Sequence, residues 1–284
     1  MVSRSAASRG RGAECLAGLP GVAASQIPLL LCLAEENRPG RIQGLDQTLV
    51  QELSQRLGIP QHPSSAVITN GRVGGVEAIR WAGEFIDQGY PYCLVAGVDT
   101  FLVGETLATF EAQRRLRTSQ NSDGFIPGEA GAAVLLGPAG DQPPKQVRCL
   151  GIGFGRERAT VDSEEPLRAD GLAAALRAAL ADAGCTYDDV DYRLTDASGE
   201  QYVFKEAALA IARTMQKVKA EFDIWHPADC IGEVGAAVVP IVLSVAKMAS
   251  DKGYAPGAGV LCHFGNDEGA RAAMIVRHFN ERNV

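Results

Sequence analysis

The sequence predicts an α/β fold whose sheets are covered by helices on both sides. Two patterns predict it. Short apolar runs of strand length alternate with longer segments whose apolar residues recur every three or four positions. That alternation occurs twice, on either side of a loop rich in Pro, Gly and Asp at residues 137–144. The bulk composition agrees: 46% hydrophobic and 21% charged residues over a 284-residue chain are globular values and exclude disorder as the main state.

The elements follow in order. Residues 27–34 are a short apolar run and read as a buried strand. At 45–57, Leu45, Leu49, Leu53 and Leu57 fall four apart and mark an amphipathic helix. Residues 65–69 read as a strand and Asn70-Gly71-Arg72-Val73-Gly74-Gly75 as a glycine-rich turn. A helix then runs to about Gln88, with Val76, Ile79, Gly83 and Ile86 on one face. A strand at 92–98, a helix at 106–117 and a strand at 130–136 complete the first half. The second half opens with a strand at 146–153. A helix at 170–183 follows, with Leu172, Leu176 and Leu180 four apart and Gly184 as its stop signal. A short strand at 191–195, a long helix at 200–222, an apolar helix at 235–247 and strands at 259–264 and 272–277 finish the chain. The expected division is an N-terminal tail at 1–22, with a short helix end at 13–18, a first half at 23–144 and a second half at 145–284. Two similar halves suggest an internal duplication, although no repeat is visible residue by residue.

Composition also bounds function. The formal charge is −7, and the only local basic cluster is Arg4, Arg9 and Arg11, so nucleic-acid binding is not expected. The longest apolar run, 236–246, is broken by Pro240 and Ser244 and is too short to span a membrane. The start of the chain has no apolar core of a secretory signal. The seven cysteines are scattered with no CxxC pair, so no structural zinc or other metal site is expected. No cofactor is implied: the glycine cluster at Gly71–Gly75 matches neither GxGxxG nor GxxxxGK[ST]. Unpaired thiols in apolar runs fit a reducing cytoplasm.

One stretch is far more specific: Asp123-Gly124-Phe125-Ile126-Pro127-Gly128-Glu129-Ala130-Gly131. It resembles the DGF-x-x-GE-x-[AG] stretch of the β-ketoacyl-[acyl-carrier-protein] synthases, members of the thiolase-like superfamily. Three further blocks fall in the family's order. Residues 71–98 resemble the nucleophile turn, its helix and the next strand, which runs on to Asp99. Cys230-Ile231-Gly232-Glu233-Val234-Gly235-Ala236-Ala237 resembles IGH-x-x-GAA. His263-Phe264-Gly265-Asn266-Asp267-Glu268-Gly269-Ala270 resembles the FGFGGTNA turn. The resemblance implies a thiolase-like α/β fold of two similar halves, layered αβαβα with mixed sheets. It also implies a βα unit ahead of the strand at 27–34, so the first half is expected to be incomplete at its start.

The family's chemistry needs a Cys at a tight strand-to-helix turn, two His that activate the malonyl partner, and backbone N–H groups forming an oxyanion hole. This sequence departs at each chemical position. The Cys position falls on Arg72, or on Gly71 after a one-residue slip, and no Cys occurs between Cys32 and Cys93. The first His block falls at Thr195-Asp196-Ala197-Ser198-Gly199 and contains no His. The second His position is Glu233. A guanidinium is a poor nucleophile, so Arg72 either pairs with Glu233 or Asp196 or binds an anion at the helix N-terminus. Glu233 is also suited to a first helical turn whatever its function. The residues expected to line the old pocket are Gly71, His263, Phe264, Gly265 and Asn266.

The expected function is therefore that of a β-ketoacyl-synthase-like protein without condensing activity. It acts as a non-catalytic dimer partner of chain-length-factor type or as an acyl- or anion-binding module. The resemblance implies a homodimer, or a heterodimer with a ketosynthase-like subunit, and acyl carrier protein as a further partner.

Overall fold

The computed structural model describes residues 22–58, 60–140 and 146–279. The helix end expected at 13–18 lies outside these residues. The first sheet contains β1 (Leu29–Cys32), β2 (Ala66–Ile68), β3 (Cys93–Thr100) and β4 (Glu129–Leu136), in the order β2-β1-β3-β4. β1 runs parallel to both neighbours, with Leu30 opposite Ala66 and Val95, and β4 runs antiparallel to β3. The helices of this half are α1 (Leu45–Leu57), α2 (Gly71–Asp87) and α3 (Gly104–Ala112).

The second sheet contains β5 (Gln146–Arg156), β6 (Tyr192–Thr195), β7 (Ile224–Trp225), β8 (Gly259–Gly265) and β9 (Ala270–Phe279), in the order β5-β9-β8-β6-β7. β6 is parallel to β7 and β8, and β9 is antiparallel to β8 and β5. Its helices are α4 (Asp170–Asp182), α5 (Gln201–Thr214), α6 (Ala228–Ile231) and α7 (Val238–Lys252), the last preceded by a 3₁₀ turn at Gly235–Ala237. The order β7-β6-β8-β9 repeats β2-β1-β3-β4 in sequence order and in strand direction. The duplication that residues alone do not reveal is therefore explicit in the topology. β5 and α4 have no counterpart among the described residues of the first half.

Contacts divide the chain into two units. One runs to Phe110 and adds Pro127–Pro138 and Val234–Ile241. The other holds Glu111–Ile126, Ala139–Glu233 and the chain from Val242 onward. The first core joins Leu30, Cys32, Ile68, Ala78, Ala82 and Val95, with Trp81 and Phe85 packed against it. Ala236 belongs to the same core, because Gly97 has no Cβ and lets the 3₁₀ turn lie directly on β3. The second core joins Leu172, Leu176, Ala179, Ile211, Leu261 and Ile275. There, side chains on Gly151, Gly153 and Gly155 of β5 would overlap the α4 backbone at Ala179, Ala175 and Gly171. An alanine-rich helix thus sits almost backbone to backbone on a strand with glycine at every second position.

Several boundaries differ from expectation. The glycine-rich stretch after Asn70 is not a turn but the first turn of α2. Gly83 is exposed, and the buried stripe of α2 is Val73, Val76, Ile79 and Ala82. The helix expected at 106–117 ends at Ala112, before Arg114 adopts a left-handed φ of 58°. The helix expected at 200–222 ends at Thr214. Past that point Val218 is 87% exposed, so no apolar stripe continues, and Phe222 instead packs on Tyr187. Among the described residues, no helix is long and apolar enough to cross a membrane.

Candidate functional site

The sequence places its missing nucleophile at the junction of β2 and α2. Gly71, the first residue of α2, has φ +52°, a conformation that L side chains rarely adopt. Its N–H donates to Leu33 O at 3.1 Å. A Cβ there would overlap the Glu35 carboxylate. The elbow therefore requires glycine both for its dihedral and for its space. Arg72 follows on the same first helical turn and is half-buried.

Glu35 is held in turn by Arg38, whose Nε and Nη2 donate to Glu35 Oε2 at 3.1 and 2.8 Å. Arg38 also grips Asp99 at the end of β3, donating from Nη1 and Nη2 to Oδ1 and Oδ2 at 2.8 Å each. Its guanidinium lies 4.2 Å from the Phe101 ring centroid. Asp99 accepts two backbone bonds as well, from Thr100 N at 2.8 Å and Ala236 N at 2.9 Å. Burial works to lower the Arg38 pKa, but Asp99 and Glu35 outweigh it and hold Arg38 above the ordinary arginine value. This ion-paired group was not anticipated from the sequence. The one hint was Asp99 closing the apolar run of β3.

In the second unit, Thr195, Asp196, His263 and Gly265 come together at the ends of β6 and β8. Thr195 and His263 are opposite each other in the parallel ladder. Thr195 Oγ1 donates to Asp196 Oδ1 at 3.2 Å and lies 3.2 Å from His263 Nδ1. With the hydroxyl proton spent on Asp196, the imidazole carries its proton on Nδ1 and donates to Thr195. Asp196 Oδ2 accepts from Gly265 N at 2.8 Å. His263 is 2% exposed, and burial, with Arg193 nearby, pushes its pKa down to about 3. It is a neutral, shielded ring.

Phe264 is buried, and its place on β8 alternates with that of His263. Asn266 closes the β8–β9 turn, with Oδ1 accepting from Ala270 N at 2.8 Å. Its carbonyl accepts from Arg271 Nη1 at 2.8 Å, and Arg271 is fixed by the buried Glu206 carboxylate at 2.8 Å. Glu233 is buried, and its N–H donates to Ile126 O at 2.7 Å.

The Asp123-Gly124-Phe125 motif has a physical account within this unit. Asp123 Oδ1 accepts from Gln201 N at 2.7 Å and so caps α5 from another segment. Gly124 allows Gly199 and the 115–117 backbone to approach without a Cβ between them. Phe125 is buried, and its N–H donates to Arg115 O at 2.9 Å. Arg115 then donates to Glu200 from Nε and Nη2 at 2.8 Å each, and to Asp267 from Nη1 at 2.7 Å.

No cysteine stands at the β2–α2 junction. All six described cysteines are free. Burial pushes Cys32 and Cys93 up to about 12, and it also raises Cys262. No group of His, Cys, Asp and Glu among the described residues could hold a metal ion.

The two sheets of repeated topology have the thiolase-like fold, which the chain shares with solved ketosynthases. The chain is 28% identical over 225 residues to "Actinorhodin polyketide putative beta-ketoacyl synthase 2" of Streptomyces coelicolor, over 74% of this chain and 54% of that protein. With a similarly named Streptomyces cyaneus protein, matched over 50% of its length, this means the chain spans about half the length of the curated relatives it matches. A type II polyketide ketosynthase solved with its acyl-carrier protein superposes with a TM-score of 0.72 at 16% identity, covering 90% of this chain and 79% of that one. The ishigamide ketosynthase/chain length factor gives 0.67 at 16% identity, covering 89% and 76%. No family model matches the chain.

Proposed function

We propose that this chain is a non-catalytic ketosynthase-like subunit that works by pairing with a ketosynthase-like partner. The observation that carries the reading is the elbow at Gly71, where the space for a nucleophile side chain is taken by Glu35 and the adjacent residue is Arg72. Without a thiol there is no thioester to form, and a guanidinium cannot replace it. The positions expected for the two histidines hold Thr195–Asp196 and Glu233, none of which supplies an imidazole. His263 does not substitute, because a buried ring with a pKa near 3 is matched to structure rather than to proton transfer at neutral pH.

The partner reading is supported by relatives and neighbours whose names include a second β-ketoacyl synthase and ketosynthase/chain length factor pairs. A homodimer is the simpler variant of the same assembly. Acyl carrier protein enters as a further contact, since one neighbour was solved with its own carrier protein. The free cysteines fit a reducing cytoplasm.

The purified chain, given malonyl-carrier protein and an acyl primer, is expected to form no elongated product; elongation would overturn the reading. Coexpressed with a ketosynthase, it is expected to co-purify and sediment as a dimer. A stable monomer that captures no ketosynthase would remove the partner role.

A further inference from the structure

We draw no further inference here: the strongest candidate, the half-buried leucine stripe of α1 at Leu45, Leu49 and Leu53, with no counterpart of α4 beside it among the described residues, carries nothing because nothing in the structure shows what covers it.

Discussion

The two halves carry the same device built in different ways. In each, one arginine ties a glutamate that follows the first strand of the repeat to an aspartate at or just past the end of the third. In the first half Arg38 joins Glu35, after β1, to Asp99 on β3. In the second, Arg115 joins Glu200, after β6, to Asp267, after β8. The arginine of the first half comes from the same loop as its glutamate. The arginine of the second comes from a segment 85 residues away. The repeated topology therefore brings two carboxylates to the same end of each sheet, and each half recruits its counter-charge from wherever the chain passes. Carboxylates clustered without that cation would be too costly to bury.

The comparison also ranks the two devices. The Glu200 carboxylate is 6% exposed and receives its hydrogen bonds from Arg115. Asp99 keeps two backbone N–H donors whether or not Arg38 is present. Arg115→Ala is therefore expected to cost about 3–5 kcal/mol, the range for stranding a buried charge. Arg38→Ala is expected to cost about 1–3 kcal/mol, because the remaining backbone bonds solvate Asp99. Chemical denaturation of both variants measures the difference, and an equal loss would show that the retained N–H groups do not matter.

The elbow at Gly71 extends the contrast, because the first device reaches it through Glu35. Gly71→Ala meets both an unfavourable φ and the Glu35 carboxylate, and a loss of about 2–4 kcal/mol is expected. Adding Glu35→Ala should recover the steric part and leave the dihedral part. A double-mutant cycle showing no coupling would mean that the carboxylate does not fill the elbow.

His263 supplies a pH-dependent contrast, as the first-half device contains no imidazole. Its folded pKa of about 3 lies below the ordinary 6.5, so the unfolded chain binds the proton more readily. The neutral ring's contribution is complete above 6.5 and is lost as pH falls toward 3. Between pH 6.5 and pH 5 the loss is about 2 kcal/mol. Unfolding free energies measured at both values, with His263→Gln as reference, should show a shallower slope in the variant. Parallel slopes would place the ring in solvent.

Much of this architecture is legible in the sequence, for reasons that differ from element to element. α1 is readable because its leucines fall four apart, and β8 because it is an apolar run, interrupted by His263, between glycines. The arginine devices are not readable, because Arg38 and Asp99 are 61 residues apart and share no spacing rule. Of the expected site residues, Thr195, Asp196, His263 and Gly265 meet around one buried hydrogen-bond chain. The α5 overrun has a simple cause. Residues 216–221 are compatible with a helix in composition, but Val218 buries nothing, and Thr214 Oγ1 turns back to Ala210 O at 2.7 Å as the helix ends.

The smallest effect concerns the motif that first suggested the fold. Asp123 caps α5 although it lies 78 residues away from Gln201, whose N–H it accepts at 2.7 Å. The residue at the helix's own N-cap position, Glu200, makes no side-chain cap, since its carboxylate is committed to Arg115. The cap is thus supplied from outside because the local one is used for the ion pair. Asp123→Ala is expected to cost about 1 kcal/mol, the usual value of a lost N-cap. Asp123→Asn should recover most of it, because an amide oxygen caps as well as a carboxylate. The Arg115→Ala background tests the link between the two roles. There Glu200 is released to approach its own helix end, and the penalty for Asp123→Ala should shrink. An unchanged penalty in that background would show that the cap and the ion pair are independent.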